Sequence, residues 1–164
     1  MKKIILPFLL CIAVFAVQAQ TKISKTSIVA KWELAALNIE GLLFYDVEKD
    51  SIALSSEIIT QLAAAGQDSA GAAEMMKGQF ATMKEIVFEF NADGSYSISG
   101  SPDGKGTELG TYEVDETKGT LTMKGKKTGE EKQVITATFK NNRLLLDMGE
   151  KNGKKTILEF NKGK

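Results

Sequence analysis

From Ile86 onward, apolar and polar residues alternate with a period of two, and glycine residues interrupt the alternation at intervals. Eleven of the 15 glycines lie between Gly94 and Gly163. Short alternating segments separated by glycine-rich turns are typical of antiparallel strands joined by hairpins. The second half of the chain is therefore predicted to form an antiparallel meander.

Four turns allow the strand register to be tested. If Asn91–Gly94 is a type I turn with Gly94 in the left-handed position, Phe90 lies opposite Tyr96 and Phe88 lies opposite Ile98. Three further turns also place apolar residues opposite each other: a two-residue turn at 141–142, a four-residue loop at 116–119 and a bulged turn ending at residue 153. The resulting pairs are Phe139 with Leu144, Ala137 with Leu146, Ile135 with Met148, Val114 with Leu121, Tyr112 with Met123, Leu146 with Leu158, and Leu144 with Phe160. A slip of one residue would reverse the faces of a strand, so four concordant turns support this register.

The pattern predicts eight strands. They are Lys31–Leu37, Ile86–Phe90, Ser95–Ser99, Glu108–Val114, Gly119–Lys124, Lys132–Phe139, Arg143–Met148 and Lys154–Phe160. Pairing of the first strand with the last would remove two exposed sheet edges. We therefore predict a mainly β fold, an eight-stranded antiparallel up-and-down barrel with a helical insertion between its first two strands.

The insertion, at about residues 52–84, has a helical pattern. Ser55-Ser56-Glu57 precedes an apolar segment that ends at Gly66, and a second segment places Ala73, Met76, Phe80 and Met83 at helical spacing. An amphipathic stripe of this kind usually packs on a core, which favours a fixed plug over one barrel end. The alternative is a flexible lid, because methionine repacks easily.

The N-terminus carries a targeting pattern. Lys2 and Lys3 precede an apolar run of 14 residues, and Val17-Gln18-Ala19 resembles a signal-peptidase site. A membrane-spanning helix needs about 20 apolar residues, and Leu10 before Cys11 does not fit a lipoprotein signal. We expect a signal peptide at 1–19, a mobile polar leader at 20–27 and one barrel domain at 28–164. The mature protein would be periplasmic or secreted and would have no transmembrane anchor.

Composition narrows the possible chemistry. The chain has no histidine, and its one cysteine, Cys11, lies in the predicted signal peptide. Imidazole-dependent nucleophiles and metal sites, disulfides and thiolate chemistry are therefore not expected in the mature protein. Equal numbers of basic and acidic residues, with Arg143 the single arginine, argue against nucleic-acid binding. We expect no metal and no cofactor.

Three segments together carry a family resemblance: residues 28–34 (IVAKWEL), the hairpin 88–96 (FEFNADGSY) and residues 110–112 (GTY). The chain resembles the secreted lipocalin-like domains of Bacteroidetes over nearly all of its mature length. Where the lipocalin pattern has glycine two positions before the tryptophan, this chain has Ala30. The resemblance implies an exported calycin-type barrel with eight strands and, by analogy, a small apolar ligand.

The register predicts which side chains face the barrel interior. The inward set is Phe88, Phe90, Tyr96, Ile98, Tyr112, Val114, Leu121, Met123, Phe139, Leu144, Leu146, Leu158 and Phe160. An ordinary filled core is one interpretation of this set, since barrels of this size either fill or hold one small ligand. The other interpretation is a ligand site, for which the candidate residues are Phe88, Phe90, Tyr96, Tyr112, Met123, Phe139 and Leu146. Trp32 is expected to close the barrel floor.

The predicted function is an exported, non-enzymatic binding module for a small hydrophobic or amphipathic ligand. The alternative is an envelope protein-interaction or structural module with a filled barrel. A hydrolase would need two carboxylates held at a set distance, for which Asp46 with Glu48 and Glu130 with Glu131 are the candidates. We interpret these acids as solvated surface groups, so no catalytic residue is assigned. Asp93-Gly94 and Asp103-Gly104 are interpreted as turns rather than calcium loops.

Overall fold

The computed structural model describes residues 21–100, 106–126 and 132–164. In these residues it contains two α-helices, one 3-10 helix and 11 strands. The strands are β1 (Thr21–Lys22), β2 (Ala30–Ile39), β3 (Leu43–Asp46), β4 (Ser51–Leu54), β5 (Val87–Phe90), β6 (Ser95–Ser99), β7 (Glu108–Asp115), β8 (Thr120–Gly125), β9 (Gln133–Lys140), β10 (Arg143–Lys151) and β11 (Lys154–Lys162). The helices are α1 (Ser56–Ala64), α2 (Ser69–Phe80) and the 3-10 helix Ala81–Glu85.

Eight of these strands close into an antiparallel barrel. Their order is β2, β5, β6, β7, β8, β9, β10 and β11, and β11 pairs with β2 to complete the ring. The closing register places Leu158 opposite Leu37 and Phe160 opposite Leu34. The predicted fold class is confirmed, including the pairing of the first barrel strand with the last.

Turn geometry explains why the predicted registers hold. Gly94 adopts φ 82°, which permits the bulged turn that brings Phe90 opposite Tyr96. Asn141 and Asn142 have φ values of 52° and 62°, as a two-residue type I′ turn requires. The predicted pairs Val114 with Leu121, Tyr112 with Met123, Phe139 with Leu144, Ala137 with Leu146, Leu146 with Leu158 and Leu144 with Phe160 are all present.

The last hairpin reaches its register by a different route from the one predicted. Asn152 and Gly153 form a tight turn with φ values of 56° and 71°, and Lys151 pairs with Lys154 across it. β10 has one residue more than β11 at an earlier point, in a bulge between Asp147 and Glu150. The pairing of β10 with β9 ends at Asp147 and Thr136, so the predicted pair of Ile135 with Met148 is not part of it.

The prediction missed a hairpin at the start of the insertion. Strands β3 and β4 pair with each other, and β3 adds to the C-terminal half of β2, while β5 adds to the N-terminal half. The helices therefore begin at Ser56, after a strand that occupies residues 51–54. The insertion consists of a hairpin followed by helices.

A bulge in β2 makes this division possible. Leu34 pairs with Phe160 and Ala36 with Glu159, which leaves Ala35 without a partner on β11. The extra residue changes which side chains face inward, from Trp32 and Leu34 before the bulge to Leu37 after it. One strand thus contributes to the barrel wall and to the hairpin extension.

Local capping explains where the helices begin. The Ser55 hydroxyl accepts a hydrogen bond from the backbone of Ile58 at the start of α1, and the Asp68 carboxylate accepts two at the start of α2. Neither helix contains a fully buried residue. The helices are locally stabilised but make shallow contact with the rest of the molecule.

The segment before β2 is held in place, in contrast to the mobile leader expected from its polarity. Thr21 and Lys22 pair with β9, and Ile23 and Ile28 are almost completely buried. Two apolar side chains in a polar segment are enough to anchor it. The predicted signal peptide, at 1–19, lies outside the described residues.

None of the helices in the described residues is both long and apolar enough to span a membrane.

Candidate functional site: the barrel interior and its two ends

The predicted inward side chains come together in one cluster. Nine of them are buried, and Ile98, Val114, Phe139 and Leu158 are part-buried against the others. All seven candidate ligand-binding residues are in this group. The cluster also contains Trp32, Leu34, Ile135 and Ala137 from the strands, Ile86 just before β5, Ile28 just before β2, and Ile23 from the leader.

Aromatic rings dominate the interior of the barrel. The ring of Phe90 lies 5.0 Å from that of Tyr112, edge to face, and 6.4 Å from that of Tyr96. Phe88 contacts Phe160 across the β2 strand with a centroid distance of 5.1 Å. Phe90, Tyr96 and Tyr112 therefore form an aromatic wall along one side of the interior.

The Tyr112 phenol has a protein partner. Its hydroxyl donates a hydrogen bond of 2.7 Å to the backbone carbonyl of Asn91. Burial raises the pKa of Tyr112, and the nearby Asp93 carboxylate adds to the increase. A neutral, satisfied phenol stabilises the turn that follows Phe90, so this hydroxyl holds the wall in place.

Tyr96 occupies the space that a missing side chain leaves. Gly110 is its cross-strand partner, and Gly125 lies opposite Gly110 on the next strand. A Cβ atom at Gly110 would come within 2.5 Å of the Tyr96 ring and would also meet the carbonyl of Lys124. The absence of a side chain at Gly110 therefore leaves room for the Tyr96 ring.

One end of the barrel is sealed by deeply buried side chains. We call it the floor end; it carries the turns 91–94, 116–119 and 141–142. Trp32 is 3% exposed, contacts Phe139 at a ring distance of 5.6 Å and donates its indole N–H to the carbonyl of Ile28. The structure thus places Trp32 where the sequence predicted it, as part of a floor completed by Ile23 and Ile28.

At the opposite end, the cap end, residues 56–85 pack on the β3–β4 hairpin and on β2. We call these residues the helical cap. Beneath the cap, Leu37, Leu43 and Tyr45 form a second cluster, against which Met76, Phe80 and Met83 are part-buried. Val47, Met83 and Leu158 contact both clusters, so the barrel interior continues under the cap. Three residues of the predicted stripe, Met76, Phe80 and Met83, therefore pack on this second cluster, although Met83 lies in the 3-10 helix rather than in α2.

An ion cluster joins the cap to the β3–β4 hairpin. The Asp50 carboxylate lies 2.7 Å from the Lys84 ammonium and 3.9 Å from that of Lys77, and it accepts a 3.3 Å hydrogen bond from the Tyr45 hydroxyl. The hydrogen bond with Lys84 lowers the pKa of Asp50 and raises that of Lys84. Burial raises the pKa of Tyr45, which stays neutral. Sequence reasoning gave no role to these residues, because they are distant in sequence and no motif marks them.

Of the acidic groups considered for hydrolysis, Asp46 and Glu48 lie in the described residues, and both are engaged with other side chains. Asp46 pairs with Lys49 at 2.7 Å, whose hydrogen bonds lower the Asp46 pKa. Glu48 contacts Arg143 at 3.2 Å and Asn161 at 2.7 Å on the outside of the barrel. Glu130, Glu131, Asp103 and Gly104 lie outside the described residues, and among the described ones no group of three acidic side chains is arranged to hold a metal ion.

Among the described residues, clefts open on the outside of the barrel. One of about 510 Å³ lies over β6–β8 beside Ser97, Thr111 and Lys124. Another of about 470 Å³ lies beside Arg143, and a third of about 380 Å³ lies beside Asp93 at the floor end. The candidate ligand-binding residues border these clefts only through Tyr96 and Tyr112.

The chain is similar in structure to a DUF4847 family protein. That protein is from Bacteroides vulgatus ATCC 8482, its crystal structure has a TM-score of 0.48, and the match has 22% sequence identity over 82% of this chain and 94% of that one. No family model and no curated protein matches the sequence. The lipocalin-like resemblance is therefore without support from a family match.

Proposed function

We propose that this protein is an exported, non-enzymatic binding module of lipocalin-like type, which holds a small apolar or amphipathic molecule in its barrel. The unequal closure of the two barrel ends carries the proposal. Trp32 and its neighbours seal the floor end with almost no exposed surface, whereas at the cap end Met76, Phe80 and Met83 are only part-buried against the strands. Methionine side chains can repack around a guest molecule at small cost.

The interior suits a chain-like molecule. Each methylene group that a ligand buries against aromatic and aliphatic side chains gains about 0.8 kcal/mol. We propose that the ligand-binding residues are Phe88, Phe90, Tyr96, Tyr112, Met123, Phe139 and Leu146. We propose that the Tyr96 phenol orients the polar end of the ligand, since its ring lies in the aromatic wall beside Phe90.

Titration of fatty acids of increasing chain length, together with an environment-sensitive apolar dye, tests the proposal. We expect saturable binding that strengthens with chain length. Tyr96→Phe should weaken fatty-acid binding several-fold, because one hydrogen bond is worth about 0.5–1.5 kcal/mol. Val134→Ala, on the outer face of β9 where Val134 is 65% exposed, serves as the control and should bind as the unmodified protein does. Absence of saturable binding would contradict the proposal.

A second candidate is an envelope interaction module with a filled barrel. Close ring contacts in the interior favour it, as does the nearly complete burial of Leu121, Leu144 and Phe160. Ile59 and Met75 on the helical cap are 43% and 66% exposed and could contact a partner. In this function the outer surface does the binding.

Native mass spectrometry of the protein purified from its own host separates the two candidates. A retained small molecule supports the ligand-binding function, and a retained protein with no small molecule supports the interaction module. The same spectrum reports whether residues 1–19 have been removed, as export through a signal peptide requires.

A further inference from the structure

The helical cap is attached to the rest of the molecule through few deep contacts. Neither of its α-helices contains a buried residue, and its main apolar contacts come from Met76, Phe80 and Met83. Phe80 stacks on Tyr45 at a ring distance of 5.7 Å. Shallow burial of this kind is typical of segments that open at a free energy well below that of global unfolding.

The polar contacts of the cap converge on one side chain. In the described part of the chain, the ion pairs that join residues 56–84 to the β-structure are those of Lys77 and Lys84 with Asp50. Lys77 also pairs with Glu74 within α2, at 2.9 Å. Asp50 therefore connects α2, the 3-10 helix and, through Tyr45, the strand beneath them.

The position of Asp50 fixes the geometry of these contacts. It lies in the turn between β3 and β4 with φ 49°, a left-handed conformation that aspartate and asparagine tolerate better than most residues. Its side chain is 45% exposed, and those of Lys84 and Lys77 are 37% and 28% exposed. Partly exposed ion pairs are weak and are screened by salt, so this connection can break without loss of the fold.

We propose that the helical cap is a lid held closed by the Asp50 ion cluster, and that release of this latch opens the cap end of the barrel to ligand. The gating role rests on the proposed binding function, whereas the latch itself does not. The opened segment would be residues 56–85, with the β3–β4 hairpin left in place because it is paired to β2. Opening would uncover Leu37, Leu43 and Tyr45 and the continuous apolar path past Leu158 into the barrel.

Amide hydrogen exchange on the free protein tests the latch. Asp50→Asn removes the charge and keeps the left-handed turn, and we expect exchange in residues 56–85 to rise about three- to tenfold while the barrel strands stay unchanged. Asp46→Asn is the matched control, since Asp46 lies in the same hairpin and pairs with Lys49 at 2.7 Å without contacting the cap. The double change Asp50→Lys with Lys84→Asp should restore slower exchange than either single change gives. Unchanged exchange in Asp50→Asn, or an equal rise throughout the barrel, would overturn the latch.

Stopped-flow binding of the apolar dye tests the gate. Asp50→Asn should speed dye association and dissociation together by several-fold and leave the affinity nearly constant. High salt should speed association in the unmodified protein and have less effect in Asp50→Asn. Saturable binding with an unchanged association rate overturns the gate and leaves the binding function standing. Absence of saturable binding in every variant overturns the binding function and the gate with it, and hydrogen exchange still decides whether the cap is latched.

Discussion

At the scale of single residues, Gly110 shows how a missing side chain shapes the interior. A Cβ atom at this position would meet the Tyr96 ring and the backbone of Lys124. We expect Gly110→Ala to lower the free energy of unfolding by about 1–3 kcal/mol, as overpacking of a filled site usually does. Urea denaturation followed by fluorescence measures this loss.

Gly78 provides the matched control for Gly110. It lies within α2, and a Cβ atom there would meet nothing within 4 Å. Alanine is the better helix former by about 0.5–1 kcal/mol, so Gly78→Ala should leave stability unchanged or raise it. A Gly110→Ala protein as stable as Gly78→Ala would show that the Tyr96 ring and the Lys124 backbone both move aside at little cost.

At the scale of elements, the leader shows that a few apolar residues decide whether a polar segment packs on the barrel or stays mobile. Ile23 is 1% exposed and belongs to the barrel cluster, although Ser, Thr and Lys surround it. Ile23→Ala should destabilise the protein by about 2–5 kcal/mol, because it leaves a cavity in the floor. Thermal and urea unfolding both measure this change.

Lys25 is the control for Ile23, since its side chain lies at the surface of the same segment. Lys25→Ala should change stability by less than about 0.5 kcal/mol. If the two variants were equally stable, the leader could detach from the floor without loss of unfolding free energy. That result would fit the mobile segment expected from the sequence.

The strands were predictable wherever a turn fixed the register. The turns at Asn91–Gly94 and at Asn141-Asn142 each favour one backbone geometry. In that geometry the apolar residues on either side of the turn lie opposite each other. The β3–β4 hairpin was missed because its turn has no glycine and uses Asp50 in a left-handed conformation. The bulge at Ala35 was hidden because two neighbouring alanines fit either face, although the three-residue spacing from Leu34 to Leu37 marks the change.

The interior set followed from the same registers, whereas the Asp50 cluster did not. Alternation along a strand indicates which side chains face inward, and it can be seen from residues that are close in sequence. The contact of Asp50 with Lys77 and Lys84 depends on how the helices pack on the hairpin. Sequence alone gives no measure of that packing, nor of whether the barrel core is filled.

At the scale of the whole molecule, the absence of histidine predicts how stability depends on pH. No side chain with an ordinary pKa between 5 and 8 is present. The pKa values of Asp46, Asp50, Asp93 and Asp115 are lowered from 3.8 by hydrogen bonds to Lys49, Lys84, Ser95 and Lys118, respectively. A carboxyl group whose pKa is lower in the folded state stabilises the protein above its unfolded pKa, and this contribution is lost as pH falls through the folded value.

The free energy of unfolding should therefore be nearly constant between about pH 5 and pH 9 and should fall below about pH 4. Urea unfolding at closely spaced pH values measures the profile. A step in stability centred between pH 6 and pH 8 would contradict the assignment of these carboxylates as the groups that control it.

The closure of the barrel by its first and last strands also has a consequence for how the chain is made. During synthesis β2 emerges before the other barrel strands, and the strand that completes its pairing, β11, emerges after them. The β3–β4 hairpin is local and can protect one edge of β2 at once, but the edge that faces β11 stays unpaired until β11 has been made. Contacts between distant parts of a chain form slowly, and an unpaired strand edge attracts other strands. That edge of β2 is therefore where a chaperone would protect the unfinished protein and where a second copy would begin to aggregate with it.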